Sequence, residues 1–399
     1  MKELLAIITR GVVLLSGFGI VMLNLRFAGL EGQGTISLIN SGILILSTLS
    51  AFIGGGSIVY LLPRLGVSKL LAPSLIWLIL SAGLAAILLF LTGIEGLVHA
   101  VALGSIQSLF LIQQMILLGE NRSKAYQWML LIQSSGSFIF VAFFYLSSET
   151  PDYLDFIKGI YGAFALTLVA GFYFTWSSWK QMVLSHIPDQ AYPLWKYGKY
   201  TQTANIFHLS NQRSYLFFLE RSSAEGILLS GIFSVVMYIA EALWSVPKSL
   251  SAVQGAEIAQ TEEHQAHKSL TIRYLRISLI SVVIGVVVLL AIPESWFNYW
   301  LKDRTSEVFD TLKYLLPGIL FNVFTVIFAH YFSGKGLHRY NTWSAAAGLI
   351  GSLVLAPILI VHYGITGAAI AASCAFGLQS LIQTLLFIRA SRKNRAFSI

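Results

Sequence analysis

The chain has 399 residues, of which 56% are hydrophobic and only 11% charged, with a formal net charge of +8. A soluble domain carries roughly 25% charged residues, so a water-facing globule is excluded. The single cysteine, Cys374, excludes a disulfide framework and a cysteine metal site.

Apolar segments long enough to cross a bilayer, roughly 20 residues each, recur along the whole chain. In order they are Ile7–Phe27, Thr35–Leu62, Ala72–Ile94, Leu97–Leu118, Tyr126–Leu146 and Ile157–Trp176. Beyond a polar stretch follow Tyr200–Leu219, Ile227–Ser251, Tyr274–Ile292, Thr311–Phe332, Trp343–His362 and Ile365–Ile388. The sequence therefore predicts an all-α polytopic membrane protein of about twelve transmembrane helices. The start, MKELLAIITRG, leads straight into the first span without a small-residue cleavage site and is expected to stay as the first helix.

Basic residues set the orientation. With the N-terminus inside, Arg10, Arg64, Lys69, Lys124, Lys196, Lys199, Lys248, Lys268, Arg339 and Arg392 fall on the inner side. Arg26, Lys158, Arg221, Lys302, Arg304 and Lys313 fall outside, and Arg213 remains within the bilayer. The full bias is about three to one, which places both termini in the cytoplasm and accounts for the +8 without nucleic acid. A bacterial inner (cytoplasmic) membrane is the expected location.

The polar stretch divides the chain into a six-helix bundle over residues 1–176, a cytoplasmic linker over 177–199, and a second six-helix bundle over 200–399 with a short basic tail. Three motifs recur in register across the halves. Asn24-Leu25-Arg26 matches Asn211-Gln212-Arg213, and Glu31-Gly32 matches Glu225-Gly226. Gly159-Ile160-Tyr161-Gly162-Ala163 matches Gly364-Ile365-Thr366-Gly367-Ala368. Repeats of six helices share one topology, so the two bundles are expected to relate by a pseudo-twofold along the membrane normal around a central cavity.

The run NQRSYLFFLERSSAEGILLSGIFSVVMYIAEALWSVPKSLSAVQ, from Asn211 to Gln254, resembles the seventh–eighth helix signature of polysaccharide (O-antigen, Wzx-type) flippases. These belong to the multidrug/oligosaccharidyl-lipid/polysaccharide exporter superfamily. RFAGLEGQGTISLINSGILILSTLSAFIGGGSIVYLLPR, LWKYGKYTQTANI and HYGITGAAIAASCAFG resemble the first–second, seventh and last helix regions of the same proteins. The similarity spans essentially the whole chain. It implies a flippase that moves an oligosaccharide on undecaprenyl diphosphate from the inner to the outer leaflet, beside polysaccharide assembly proteins in the bilayer. One departure is that many relatives carry an acid two positions after the seventh-helix arginine, where this chain has Tyr215. No coupling role can be transferred to that position.

Polar groups on membrane helices are expensive and face protein or water. On the seventh span Thr201, Asn205, His208, Gln212 and Tyr215 share an arc of roughly 80°. On the eighth, Ser230, Ser234, Tyr238, Glu241, Ser245 and Lys248 share an arc of roughly 80° as well. Each stripe is either a cavity-facing surface or a seam of interhelical hydrogen bonds. Asn322, Thr325 and Ser333 make a weaker stripe on the tenth span. Arginine suits a diphosphate because its planar fork of donors stays charged. Arg213 is the foremost candidate, although it stands roughly 120° from its own helix's stripe. Arg10 and Arg26 are further candidates, but they point about 160° apart and each lies near a helix end, where snorkelling also explains them. Lys248 admits the same two readings.

Glu241 is the one carboxylate deep in a span. It is a candidate to bind a coupling proton or sodium ion, to neutralise a cavity arginine, or to serve as a structural pair. An ion-coupled drug or metabolite antiporter of the same superfamily is the alternative function. The lack of a deep carboxylate in the first six spans argues against a cation-drug exporter. A membrane glycosyltransferase or polymerase is a more distant option, since the outer loops near Ser147–Phe156 and Pro293–Asp310 are short. Gly54-Gly55-Gly56 and Pro247 mark bends or close packing. Glu263, His264 and His267 read as an inner polar loop over Gln260–Lys268, and Glu149, Asp152 and Asp155 as a solvated outer loop. No metal, cofactor or nucleotide-binding motif is expected.

Overall fold

The computed structural model describes residues 2–93, 95–183, 187–260, 264–301 and 304–393. Among these residues the regular structure is entirely helical. The chain divides into two compact units, one up to Gln202 and one from Thr203 onward.

The first unit opens with α1 (Lys2–Phe27) and α2 (Gly29–Gly54), then α3 (Gly56–Leu65) and a short 3₁₀ turn at Val67–Lys69. α4 (Leu71–Thr92), α5 (Leu97–Gly119), α6 (Ser123–Ser147) and α7 (Tyr153–Trp179) complete it. α2 and α3 are one membrane span broken at Gly55, whose backbone leaves the helical region (φ −100°, ψ −143°). A break inside a bilayer must have its freed carbonyls satisfied by protein. Two side chains of α4 supply the donors near this one. Trp77 Nε1 donates to the Leu49 carbonyl at 2.8 Å, and Ser74 Oγ donates to the Ile53 carbonyl at 3.2 Å. Gly54 packs against Ile112 of α5 at the same place, so the glycine run bends the span and also admits a neighbour.

α8 (Ile187–Glu220) passes through the boundary at Gln202, and α9 (Gly226–Gln260), α10 (His264–Ala291), α11 (Glu294–Leu301), α12 (Thr305–Gly334) and α13 (His338–Lys393) follow. α13 comprises two helical arms that meet at Gly364, where φ is +56° and a side chain would be strained. Among the described residues, ten helices are long and apolar enough to cross a membrane. α8 is also long enough but carries too many polar side chains to be among them, and α13 counts as two spans. The molecule is thus a multi-pass membrane protein with the expected twelve spans.

The packing order repeats between the units. In the first, α2 packs on α4 and α5, α4 on α5, and α5 on α7; in the second, α9 packs on α10 and α12, α10 on α12, and α12 on α13. A glycine of the recurring motif admits a neighbour in each half, at the motif's first position in one and its fourth in the other. A Cβ on Gly159 would lie 2.7 Å from the Val141 Cα of α6. One on Gly367 would collide with the Leu359 carbonyl across the α13 kink. In both halves a glycine lets the sixth span lie backbone to backbone on the fifth.

Third spans also match. Only 17% of the span containing α4 and 11% of that of α10 is buried, against 72% for α2–α3, so α4 and α10 turn apolar faces outward. Leu84, Ile87 and Phe90 on α4, and Ile280, Val283, Ile284 and Val287 on α10, are all exposed. Lipid contact on that scale explains why so little charge covers the chain.

Three local expectations change. The seventh span begins as a helix at Ile187, not at Tyr200, because the polar stretch is amphipathic and docks its apolar residues on the first unit. Leu194 is fully buried there with Ile53, Leu61 and Leu70. Asp152 and Asp155 are not a solvated loop but a capping box: Leu154 N–H donates to Asp152 Oδ1 at 2.9 Å, and Asp152 N–H to Asp155 Oδ2 at 3.3 Å. The inner polar loop shrinks, since α9 reaches Gln260 and α10 starts at His264. Glu263 and the side chain of His264 lie outside the described residues, and His267 is buried.

Candidate functional site

The second unit holds most of the candidate residues, on α8 and α9. Arg213 is 8% exposed, and its Nη2 donates to Glu241 Oε1 at 2.6 Å. Arg213 stands off the polar stripe of α8 because it turns toward α9. Its Nε is buried and makes no hydrogen bond. The two candidates are brought together as a charge-assisted pair.

A second group of contacts lies on the other side of α8. His208 Nδ1 is 3.4 Å from Gln379 Oε1 on the second arm of α13, and His208 Nε2 is 3.1 Å from Gln212 Nε2. Asn211 Nδ2 donates to the same Gln379 oxygen at 3.3 Å, and the Tyr215 hydroxyl donates to Asn211 Oδ1 at 3.4 Å. Gly348, on the first arm of α13, leaves room for this cluster. A Cβ there would lie 2.9 Å from both Asn211 Nδ2 and Gln379 Oε1. Gln379 was not singled out in the sequence, and Asn211 was named only for the repeat. The available signals were the two glutamines of the apolar twelfth span, Gln379 and Gln383, and the asparagine that opens the repeated Asn-x-Arg motif.

Both stripes change character along their length. On α9, Ser230 and Ser234 are fully buried and bond to backbone carbonyls, whereas Tyr238, Glu241 and Ser245 are half-buried and Lys248 is exposed. Lys248 places its ammonium 6.0 Å from the Trp244 ring. On α8, Gln212 and Tyr215 are buried, His208 is half-buried and Asn205 is exposed. Tyr215 is a core residue packed on Phe233, with its ring centroid 5.6 Å away. The buried ends are therefore interhelical seams, and the open ends keep accessible polar groups.

In the first unit, Arg10 and Arg26 on α1 are both exposed. What the repeat does place there is a buried network around Asn24. Its Nδ2 donates to Gln33 Oε1 at 3.0 Å, its Oδ1 accepts from the Tyr145 hydroxyl at 3.0 Å, and Gln33 Nε2 donates to Ser37 Oγ at 3.0 Å. Among the described residues, no group of three His, Cys, Asp or Glu side chains could hold a metal ion.

No protein-family model matches the sequence, and no curated protein matches it significantly. Solved structures do match. An inward-facing multidrug resistance MATE family transporter of the MOP superfamily aligns with a TM-score of 0.74 at 14% identity, covering 97% of this chain and 96% of its own. The fold is that of the MOP superfamily. The lipid II flippase MurJ, in an inward closed conformation, aligns with a TM-score of 0.69 at 15% identity over 97% of this chain and 87% of its own. A MOP superfamily transporter from Pyrococcus furiosus, described as having a binding pocket of reverse polarity, aligns at 0.67 and 14% identity over 98% and 96%. The fold thus serves both multidrug transporters and a lipid flippase.

Proposed function

We propose that the chain is a transporter rather than an enzyme, and that it flips a lipid-linked oligosaccharide, carried on undecaprenyl diphosphate, from the inner to the outer leaflet for surface polysaccharide synthesis. The observation that carries this proposal is the Arg213–Glu241 pair, whose arginine is buried and whose carboxylate is half-buried. A charge at the centre of a membrane helix costs about 2.5–3.5 kcal/mol on insertion scales, and hydrophobic packing would stabilise the bundle as well as an ion pair does. Keeping both charges suggests use. A diphosphate offers Arg213 a stronger, bidentate partner than a single carboxylate oxygen. As the headgroup takes the guanidinium, Glu241 is released and binds a proton or sodium ion, so cargo and coupling ion arrive together. His208, Gln212, Tyr238 and Asn205 then supply neutral donors and acceptors for sugar hydroxyls. The resemblance of the sequence to polysaccharide flippases and the fold shared with the lipid II flippase support the same cargo class, and the inward bias of basic residues supports cytoplasmic termini.

The test is mass spectrometry of lipid-linked sugars in a strain lacking the gene. Undecaprenyl-linked repeat units should accumulate and surface polysaccharide should disappear. The native gene should restore the polymer, and one encoding Arg213→Ala should not. Normal surface polymer in the deletion strain would overturn the proposal, and altered sensitivity to cationic drugs in its place would favour the antiporter.

A further inference from the structure

The break at Gly55 makes α3 a separate short helix, and the start of α8 lies against it. Gly198 is what permits the approach: a Cβ there would collide with the Phe52 carbonyl of α2. On one side of that contact Trp195 stacks on Phe52 at 5.4 Å and meets Trp77 edge-on at 5.9 Å. On the other side Tyr197 meets Tyr60 of α3 with ring centroids 4.6 Å apart. This second pair is open, with Tyr60 43% and Tyr197 51% exposed.

Arg64 does not extend away as a snorkelling arginine does. It folds back over its own helix, so that its guanidinium carbon lies 3.9 Å from the Tyr60 ring centroid and Nη1 donates to the Tyr60 carbonyl at 2.5 Å. The result is a fixed stack of guanidinium, tyrosine and tyrosine. Lys196 is exposed beside Tyr197, and the Lys199 ammonium lies 5.1 Å from the Tyr200 ring. Among the described residues, none of Arg64, Lys196 or Lys199 forms an ion pair with a carboxylate.

We propose that this stack of Arg64, Tyr60 and Tyr197, with the exposed Lys196 next along the chain, is a binding site for the phosphate-bearing headgroup of a membrane lipid. The remaining guanidinium edge and the Lys196 ammonium meet phosphate oxygens, as basic clusters at a bilayer surface do. The open tyrosine rings offer a flat face to the glycerol or sugar attached to that phosphate. All four residues belong to the first unit. The site is separate from Arg213, and its occupancy does not depend on the transport proposal.

Native mass spectrometry of the full-length protein in detergent tests this, with undecaprenyl phosphate, phosphatidylglycerol and dioleoylglycerol as probes. The native protein should retain at least one phosphate-bearing lipid more tightly than dioleoylglycerol, and the preferred one of the two identifies the lipid source. Arg64→Ala should weaken that retention about tenfold, equivalent to loss of one charge-assisted contact, and Tyr197→Ala should weaken it by removing the ring face. Lys124→Ala, an exposed lysine on α6, should leave it unchanged. Retention equal to the native protein's in both stack variants, or no preference for phosphate over dioleoylglycerol, overturns the site. If a stack variant fails to fold, Lys196→Ala decides: weaker retention supports the site and unchanged retention overturns it.

Discussion

Asn24 in the first unit and Asn211 in the second occupy corresponding places in the repeat, and each accepts a tyrosine hydroxyl. Their surroundings differ. Asn24 belongs to a neutral network in which Tyr145, Gln33 and Ser37 bond in sequence at 3.0 Å each. Around Asn211 the bonds are longer, at 3.3–3.4 Å, and the same helix carries His208 and Arg213, the latter paired with Glu241 of α9. The arginine of the motif diverges too, since Arg26 is exposed whereas Arg213 is buried against Glu241. One copy of the motif ties three helices together. The other keeps polar groups under looser constraint, which is where a binding function can reside.

The largest expected effect that tests this contrast comes from breaking the ion pair. Arg213→Ala leaves Glu241 uncompensated and should destabilise the protein by about 3–5 kcal/mol, read from thermal unfolding in detergent. Adding Glu241→Ala should restore most of that stability, because a neutral pair needs no partner. Transport should stay lost in the double variant. Recovery of transport together with stability would make the pair a structural staple, and the contrast between the units would vanish.

Asn24→Ala is the counterpart in the first unit. It removes two hydrogen bonds, the one from the Tyr145 hydroxyl and the one to Gln33 Oε1, for a loss of about 1–3 kcal/mol. Transport per folded molecule should be unchanged, as measured in proteoliposomes at matched protein content. A defect in transport at native stability would place function in the first network as well.

The sequence carried the span count, the repeat and the lipid-facing character well, because each depends on hydrophobicity summed over many residues. It also carried Glu241 and Arg213, since a charge in an apolar run is conspicuous. Their pairing was not legible, because a sequence separation of 28 crosses a loop and fixes no mutual orientation. Tyr215 looked like part of an open stripe because helical periodicity reports a direction and not a depth, yet it is fully buried. Gln379 was missed for a related reason. Two glutamines in the twelfth span, Gln379 and Gln383, do not say which of them meets a partner until the fold brings Gln379 to His208 and Asn211. Gly198 carries no signal alone, as only the opposing Phe52 carbonyl gives it meaning.

The smallest predicted effect compares the two tyrosines directly. Tyr145→Phe deletes a hydroxyl that donates to Asn24 Oδ1 at 3.0 Å, and Tyr215→Phe deletes one that donates to Asn211 Oδ1 at 3.4 Å. Both rings are buried, at 1% and 0% exposure, so packing is conserved and the difference isolates the hydrogen bond. A net loss of about 1 kcal/mol is expected for Tyr145→Phe and about 0.5 kcal/mol or less for Tyr215→Phe, within the range of single neutral bonds. Asn24 Oδ1 loses its well-placed donor in the first case. Asn211 loses only a long bond, and its Nδ2 keeps Gln379. Thermal unfolding of the two variants side by side measures the gap. If Tyr215→Phe costs more, the Asn211 cluster is the tighter of the two networks, and the looseness ascribed to the second unit is wrong.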